Sequence, residues 1–430
     1  MKILSIETSC DETAISILES NFVGEKPVFK ILGNALHSQI ETHADFGGVF
    51  PTLAKREHIK NFTPILISAL KSAGMLVEKK EGTDQSREFI TDALSFLSDR
   101  EQELRDQLQD FFTKYEKPEI DAIAITTGPG LEPALWVGIS GAKILSFIWQ
   151  APIIPVNHME GHITSVLINQ EKPHDDKEVF DEEDLEINFP AVALLISGGH
   201  TELVQVNSWG DYKLLGQTRD DAVGEAFDKV ARIIGLKYPG GPKISALAKR
   251  WRDGEFSSQN NSASIPWDPP RPMITKKDCD FSFSGLKTSV LYAVRDNTKN
   301  STIGEAKELT EGDKASLCAE FEQAVTDVLI SKTKRALEIS GARTLIIGGG
   351  VSANNYIKDS FKRMIEDELN YVRLLVPQQS LSTDNSLMIG IAGFLQYSKG
   401  HFIAKLNKEH LDWNQTEFPE LRANGNLGLE

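Results

Sequence analysis

KILSIETSCDETAISIL (Lys2–Leu18) and AVALLISGGHTELVQV (Ala191–Val206) decide the fold, because the two stretches read as the same hairpin. In each, an apolar run (KILSIET; AVALLIS) enters a short polar turn (SCDE; GGHT), and a second run (TAISILE; ELVQV) returns from it. Short apolar runs bounded by turn residues are strand signals. A third strand candidate follows each hairpin, at 29–35 and 212–217, and helical periodicity comes after it. Each half then offers a buried-type strand that ends in a glycine turn and a helix: DAIAITTGPG (121–130) and TLIIGGGVSAN (344–354). These patterns predict a duplicated β-β-β-α-β-α chain of the α/β class. Two similar subdomains are expected around a central cleft, with turn N–H groups and helix N-termini available to a phosphate.

Composition limits what such a chain can do. It has 430 residues, of which 40% are hydrophobic and 25% charged, enough for two or three cored domains and incompatible with disorder throughout. Lys and Arg number 46 against 62 Asp and Glu, a net charge of −16, which excludes a general nucleic-acid coat. The acidity is local: 78–119 carries net −5 and reads as one or two surface helices, and 171–186 carries net −7 and reads as a solvated loop. Cys10, Cys279 and Cys318 are widely spaced, which fits a reducing compartment better than a disulfide framework. The apolar run at Ile3–Ile6 is too short for a signal peptide, and no stretch reaches the roughly 18 apolar residues of a membrane span, so a cytoplasmic location is expected.

HMEGH, His158 to His162, is the sharpest local motif. Histidines at i and i+4 share one helix face about 5–6 Å apart, close enough to ligate one divalent metal. Two surface histidines on an amphipathic helix would look the same, so both readings stand at this point. A zinc peptidase helix places its general-base Glu directly after the first His; here Met159 holds that place and Glu160 lies one residue on, roughly 100° around the helix. The glycine turns at Gly198–Gly199, Gly240–Gly241 and Gly348–Gly350 together favour a nucleotide site. In DDAVGEAFDKVARIIGL (220–236) Asp228 stands at the margin of the apolar stripe, where it reads either as solvated charge or as an acceptor for ribose hydroxyls. Glu7, Asp11 and Glu12 surround the first hairpin turn.

The order of β-β-β-α-β-α halves resembles the actin, sugar-kinase and heat-shock ATPase (ASKHA) architecture with RNase H-like subdomains. Ten blocks carry a closer resemblance: IETSCDET (6–13), HADFGGVFPTLAKREH (43–58), GPGL (128–131), HMEGH, LLISGGHTEL (194–203), DDAVGEAFDK (220–229), YPGGP (238–242), DFSFSGLKT (280–288), GGGVSAN (348–354) and STDN (382–385). In content and order they resemble the TsaD family, the tRNA N6-adenosine threonylcarbamoyltransferases once described as O-sialoglycoprotein endopeptidases. The resemblance implies transfer of threonylcarbamoyl from threonylcarbamoyl-AMP to N6 of adenosine 37 in ANN-decoding tRNAs, forming t6A. It implies metal ligands His158, His162 and Asp384, with Fe2+ the usual ion and Zn2+ the alternative. Adenylate contacts would come from Leu195, Ile196, Ser197, Gly198, Gly199, Asp228, Gly241 and Asn354, and the acidic residues by the reacting group would be Asp11 and Glu12. TsaB-like and TsaE-like accessory proteins are implied partners. Asn157 stands where many bacterial members have His, and Ser386 where they often have Gly.

The expected organisation is a first subdomain at 1–150 with an acidic insertion at 78–119, completed by a helix at about 383–400. A second subdomain at 151–382 carries the acidic loop 171–186, and a tail occupies 401–430. Residues 243–295 carry net +4 and include Lys249, Arg250, Arg252, Arg271, Lys276, Lys277 and Lys287, interleaved with Trp251 and Trp267, a candidate tRNA-facing surface. Competing readings are an adenylate-dependent small-molecule O-carbamoyltransferase and a non-catalytic paralogue. The first normally carries extra domains, and the second lacks the histidine pair.

Overall fold

The structure, a computed structural model, describes residues 1–80, 87–98, 101–168, 187–256, 265, 267–299, 309–404, 406 and 418–429. The acidic loop expected at 171–186 lies outside the described residues, as do 81–86 and 99–100 of the acidic stretch and parts of the expected tail. The chain divides into two compact units, Met1–Lys172 with Asp384–Leu429, and Pro173–Thr383.

In the first unit the strands are β1 (Lys2–Glu7), β2 (Glu12–Val23), β3 (Lys26–Ser38), β4 (Ala122–Gly128) and β5 (Ile153–Asn157). Its helices are α1 (Ile40–Ala44), α2 (Pro51–Ser72), α3 (Arg87–Leu94), α4 (Gln102–Lys114), α5 (Glu132–Trp149) and α6 (His158–Thr164). The second unit has β6 (Ala191–Ile196), β7 (Thr201–Ser208), β8 (Asp211–Gln217), α7 (Val223–Ile233), α8 (Gly240–Arg252), α9 (Ser284–Lys299) and α10 (Glu311–Ser340). It continues through β9 (Thr344–Gly348), α11 (Asn355–Glu368), β10 (Arg373–Leu375) and α12 (Gln379–Ser382), after which α13 (Ser386–Ser398) belongs to the first unit.

The first sheet runs β3-β2-β1-β4-β5 and the second β8-β7-β6-β9-β10, one order used twice. In each, three antiparallel strands are extended by two parallel ones, with Leu4 opposite Ile17 in the first hairpin and Leu194 opposite Leu203 in the second. This is the duplicated actin-like architecture. Strands β1, β4 and β6 are almost wholly buried, as strands covered by helices must be, which is why they read as unbroken apolar runs.

Helix α13 packs on β1, β2, β4 and β5. It lies so close that a Cβ on Gly393 would stand 2.7 Å from that of Ala124, so only glycine fits there. In the second unit α10 is the central helix of the core. A reciprocal cap starts it, with Thr310 Oγ1 accepting from Asp313 N–H and Asp313 Oδ2 accepting from Thr310 N–H, both at 3.1 Å, and Gly341 ends it in the left-handed region at φ 66°.

Two boundaries and the placement of the acidic helices differ from expectation. The first unit does not stop at 150, because β5 pairs in parallel with β4 as the fifth strand and α6 follows it directly. The acidic helices are not only surface: Ile90, Leu94, Leu104, Leu108, Phe111 and Phe112 are buried in the first core, which leaves the acidic faces to solvent. Ile403, Leu406 and Leu421 are buried in that core too, so 401–430 is not a detached tail. Among the described residues no helix is long and apolar enough to cross a membrane.

Candidate functional site

The first unit gathers the histidine pair and Asp384. Two helices present them, and an asparagine caps each. Asn157 accepts a hydrogen bond from Met159 N–H on its side-chain oxygen (2.8 Å), which starts α6 with His158 as its first residue. Asn385 accepts likewise from Met388 N–H (3.1 Å), which starts α13 and leaves Asp384 just ahead of it. His158 Nε2 lies 3.4 Å and His162 Nε2 3.2 Å from the same oxygen, Asp384 Oδ1. The imidazoles stand edge to face, 4.7 Å between centroids.

Behind the triad sits Glu7. One of its oxygens lies 3.2 Å from His158 Nδ1 and accepts from Thr126 Oγ1 (2.5 Å), while the other accepts from Ser9 N–H (2.5 Å). Burial favours neutral Glu7, but the charge and hydrogen bond of His158 outweigh it and hold the carboxyl below its ordinary range. For His158 burial again opposes charge, and Asp384 and Glu7 override it to raise the imidazole well above its usual value. Burial leaves His162 lowered and therefore neutral near pH 7. Asp384 is held far below the carboxylate range despite burial, by the His158 charge and by hydrogen bonds from both rings.

Two imidazoles and a carboxylate form the donor set of iron(II) and zinc sites that keep coordination positions open. Bonds of roughly 2.0–2.1 Å meeting at right or tetrahedral angles would separate their ligand atoms by roughly 2.8–3.4 Å. The observed 3.2 and 3.4 Å match, and all three ligand atoms lie within 4.8 Å of one another. The residues present therefore fit a divalent ion, with Glu7 as the carboxylate that orients His158. Glu160 is no peptidase base in this arrangement: it is buried, and its carboxylate accepts from Gln396 of α13.

Asp11 and Glu12 occupy the β1–β2 turn. Both are raised, Asp11 first by burial and Glu12 by burial and then by the Asp11 charge. His58 of α2 holds the two ends of this turn. Its Nε2 lies 3.0 Å from the Cys10 carbonyl, which can only accept, so Nε2 carries the proton and Nδ1 accepts from Thr13 Oγ1 at 2.8 Å.

The second unit contains a cavity of about 620 Å³, within the range of small-ligand sites. Gly198, Asp228, Gly241 and Asn354 of the sequence-derived adenylate set line it. Leu195 and Ile196 are instead buried strand residues, Ser197 turns the hairpin by accepting from His200 N–H on its hydroxyl, and Gly199 is exposed. Asp228 is not a solvated charge: its Oδ1 accepts from Gly240 N–H (2.7 Å) and ties α7 to the start of α8. Asn354 caps α11 and donates to Ser245 Oγ (2.8 Å) and Glu322 Oε1 (2.7 Å). Helix α11 begins at Asn355, after a 3-10 turn at Gly350–Ala353.

The wall residues that motif reasoning missed include Ser245 and Tyr356; fully buried Glu322 accepts from Ser245 Oγ (2.7 Å) and from Arg252 (2.6 Å), another lining residue, whose guanidinium lies 3.4 Å from the Tyr356 ring centroid. Of the basic stretch, Lys249, Arg250, Arg252, Arg271 and Lys287 are ion-paired to acidic neighbours. Lys276 and Lys277 are exposed and enter none of the ion pairs among the described residues.

Among solved structures, component A of (R)-2-hydroxyglutaryl-CoA dehydratase from Acidaminococcus fermentans is similar at 11% identity and TM-score 0.43, with 93% of this chain and 99% of that chain covered. Full-length HypF in its phosphate- and nucleotide-bound form is similar at 9% identity and TM-score 0.46, over 92% of this chain and 46% of that one. T. kodakarensis HypF is similar at 14% identity and TM-score 0.40, over 73% and 45%. The profile of the TsaD family, tRNA N6-adenosine threonylcarbamoyltransferase, matches residues 30–81 and 108–391. Its one interruption falls inside the acidic stretch, and the matched span holds His158, His162, Asp384 and the four cavity-lining residues of the adenylate set. The chain belongs to the TsaD family.

Proposed function

We propose that this protein transfers threonylcarbamoyl from threonylcarbamoyl-AMP to N6 of adenosine 37 in ANN-decoding tRNAs. The observation that supports this most is the convergence of His158, His162 and Asp384 in a chain of this family. In the reaction a bond forms between N6 and the carbamoyl carbon, the carbon–oxygen bond to AMP breaks, and a proton leaves N6. The donor is already activated, so no covalent nucleophile is required. N6 is a weak nucleophile because its lone pair is delocalised into the ring, so the chain's task is orientation and proton removal. Asp11, whose carboxyl burial raises above its ordinary value and so makes a better base, takes the proton, with Glu12 beside it in the same turn. His58 keeps the turn that carries both in place. Gly198, Asp228, Gly241 and Asn354 form the adenylate wall, with the backbone of Leu195, Ile196, Ser197 and Gly199 leading into it. His158, His162 and Asp384 would hold one Fe2+ or Zn2+, which when bound supplies Lewis acidity toward phosphate and carbonyl oxygens.

Exposed Lys276 and Lys277 are the proposed tRNA contacts, and TsaB-like and TsaE-like proteins the proposed cytoplasmic partners. The test is incubation of metal-loaded protein with threonylcarbamoyl-AMP and unmodified ANN-decoding tRNA, followed by nucleoside mass spectrometry. The expected product is t6A. Its absence both with and without accessory proteins would remove the reading.

A further inference from the structure

Residues 418–429 run along the first unit and reach the start of the histidine helix. Leu421 anchors them in the core. Asn424 N–H donates to the Thr127 carbonyl (2.9 Å), and Gly130 N–H donates to the Gly425 carbonyl (3.2 Å), so the segment is bonded along the GPG turn that ends β4. Gly128 leaves room for it, since a Cβ there would collide with the Asn424 carbonyl. Beyond the turn, Asn157 Nδ2 donates to the Gly428 carbonyl (2.8 Å) while Asn157 Oδ1 accepts from Met159 N–H. One side chain thus joins the segment to the helix that carries both histidines.

We propose that Asn157 and residues 424–428 are positioning elements for the metal ligands, an inference that rests on the metal reading above. Helix α6 has only seven residues, too few to hold its own shape without tertiary contacts. Its first turn depends on the cap, and the cap's orientation is fixed by the second bond: rotating the amide would set NH2 against Met159 N–H and oxygen against the Gly428 carbonyl. His158 follows the cap directly, and its Nε2 must stay within about a bond length of its place to share an ion with His162 and Asp384.

Asn157→Asp keeps the acceptor for Met159 N–H and loses the donor to Gly428. A chain ending at Ala423 removes the segment while keeping Leu421. Binding of Zn2+ is measured by chelator competition, the ligand field by the visible spectrum of the Co2+ form, and the second unit independently by AMP binding. The expectation is at least a tenfold weaker Zn2+ affinity in both variants, on the scale of second-shell losses, with an altered Co2+ spectrum and unchanged AMP affinity. Folded Asn157→Asp protein with parental Zn2+ affinity and Co2+ spectrum overturns the inference, even where the shortened chain fails to fold. A parent protein that takes up neither ion overturns the metal reading itself, and this inference with it.

Discussion

Replacing His58 by Gln should narrow the stability gap between the parent and the variant as pH falls from 7 to 5. Burial pushes the His58 imidazole down to about 4, against the Cys10 carbonyl, which favours its charged form. In an unfolded chain the ring titrates near 6.5. A group lowered on folding in this way contributes stability that is present above the unfolded value and lost as pH drops toward the folded one. At roughly 1.36 kcal/mol per pH unit the full effect is about 3.4 kcal/mol, and about 2 kcal/mol of it disappears between pH 7 and pH 5. The glutamine side chain would still donate to Cys10 and would not titrate. It would lose the Thr13 partner, at a pH-independent cost of about 1–3 kcal/mol. Urea unfolding of both proteins at the two pH values measures the gap, provided the slopes agree. Hydrogen exchange of the β1 and β2 amides reads the first unit alone. A gap that stays constant from pH 7 to 5 would refute the neutral clamp.

Four further outcomes follow from the same geometry. Glu7→Gln, which weakens the acceptor behind His158, should reduce metal affinity about 10–100-fold with AMP binding unchanged, read by chelator competition. Metal uptake near neutral pH should release about one proton, because raised His158 must give one up; calorimetry in buffers of different ionisation enthalpy counts it, and zero would show His158 already neutral. Glu322→Ala leaves Arg252 without its buried partner and should destabilise the second unit by about 3 kcal/mol and weaken AMP binding, measured by denaturation and calorimetry. Charge reversal at Lys276 and Lys277 should weaken tRNA binding and flatten its salt dependence by about two charges, with AMP affinity unaltered; equal loss of both would point to misfolding.

What could be read from the sequence, and what could not, follows from distance along the chain. The two hairpins were legible because turn and alternation are local, and the histidine pair because i and i+4 share a helix face. Asp384 lies 222 residues beyond His162, and no spacing rule links them; only α13 returning onto β1 and β4 brings it back. Glu7 was visible as an acid near a turn, but its partner His158 stands 151 residues away. The boundary at 150 was misplaced for a related reason. Gln150 ends α5 in the left-handed conformation, and such a stop looks the same whether a domain ends or a crossover enters its next parallel strand. A count of charges between 243 and 295 cannot see α10, whose Glu311, Glu322 and Asp327 pair with Arg250, Arg252 and Arg271.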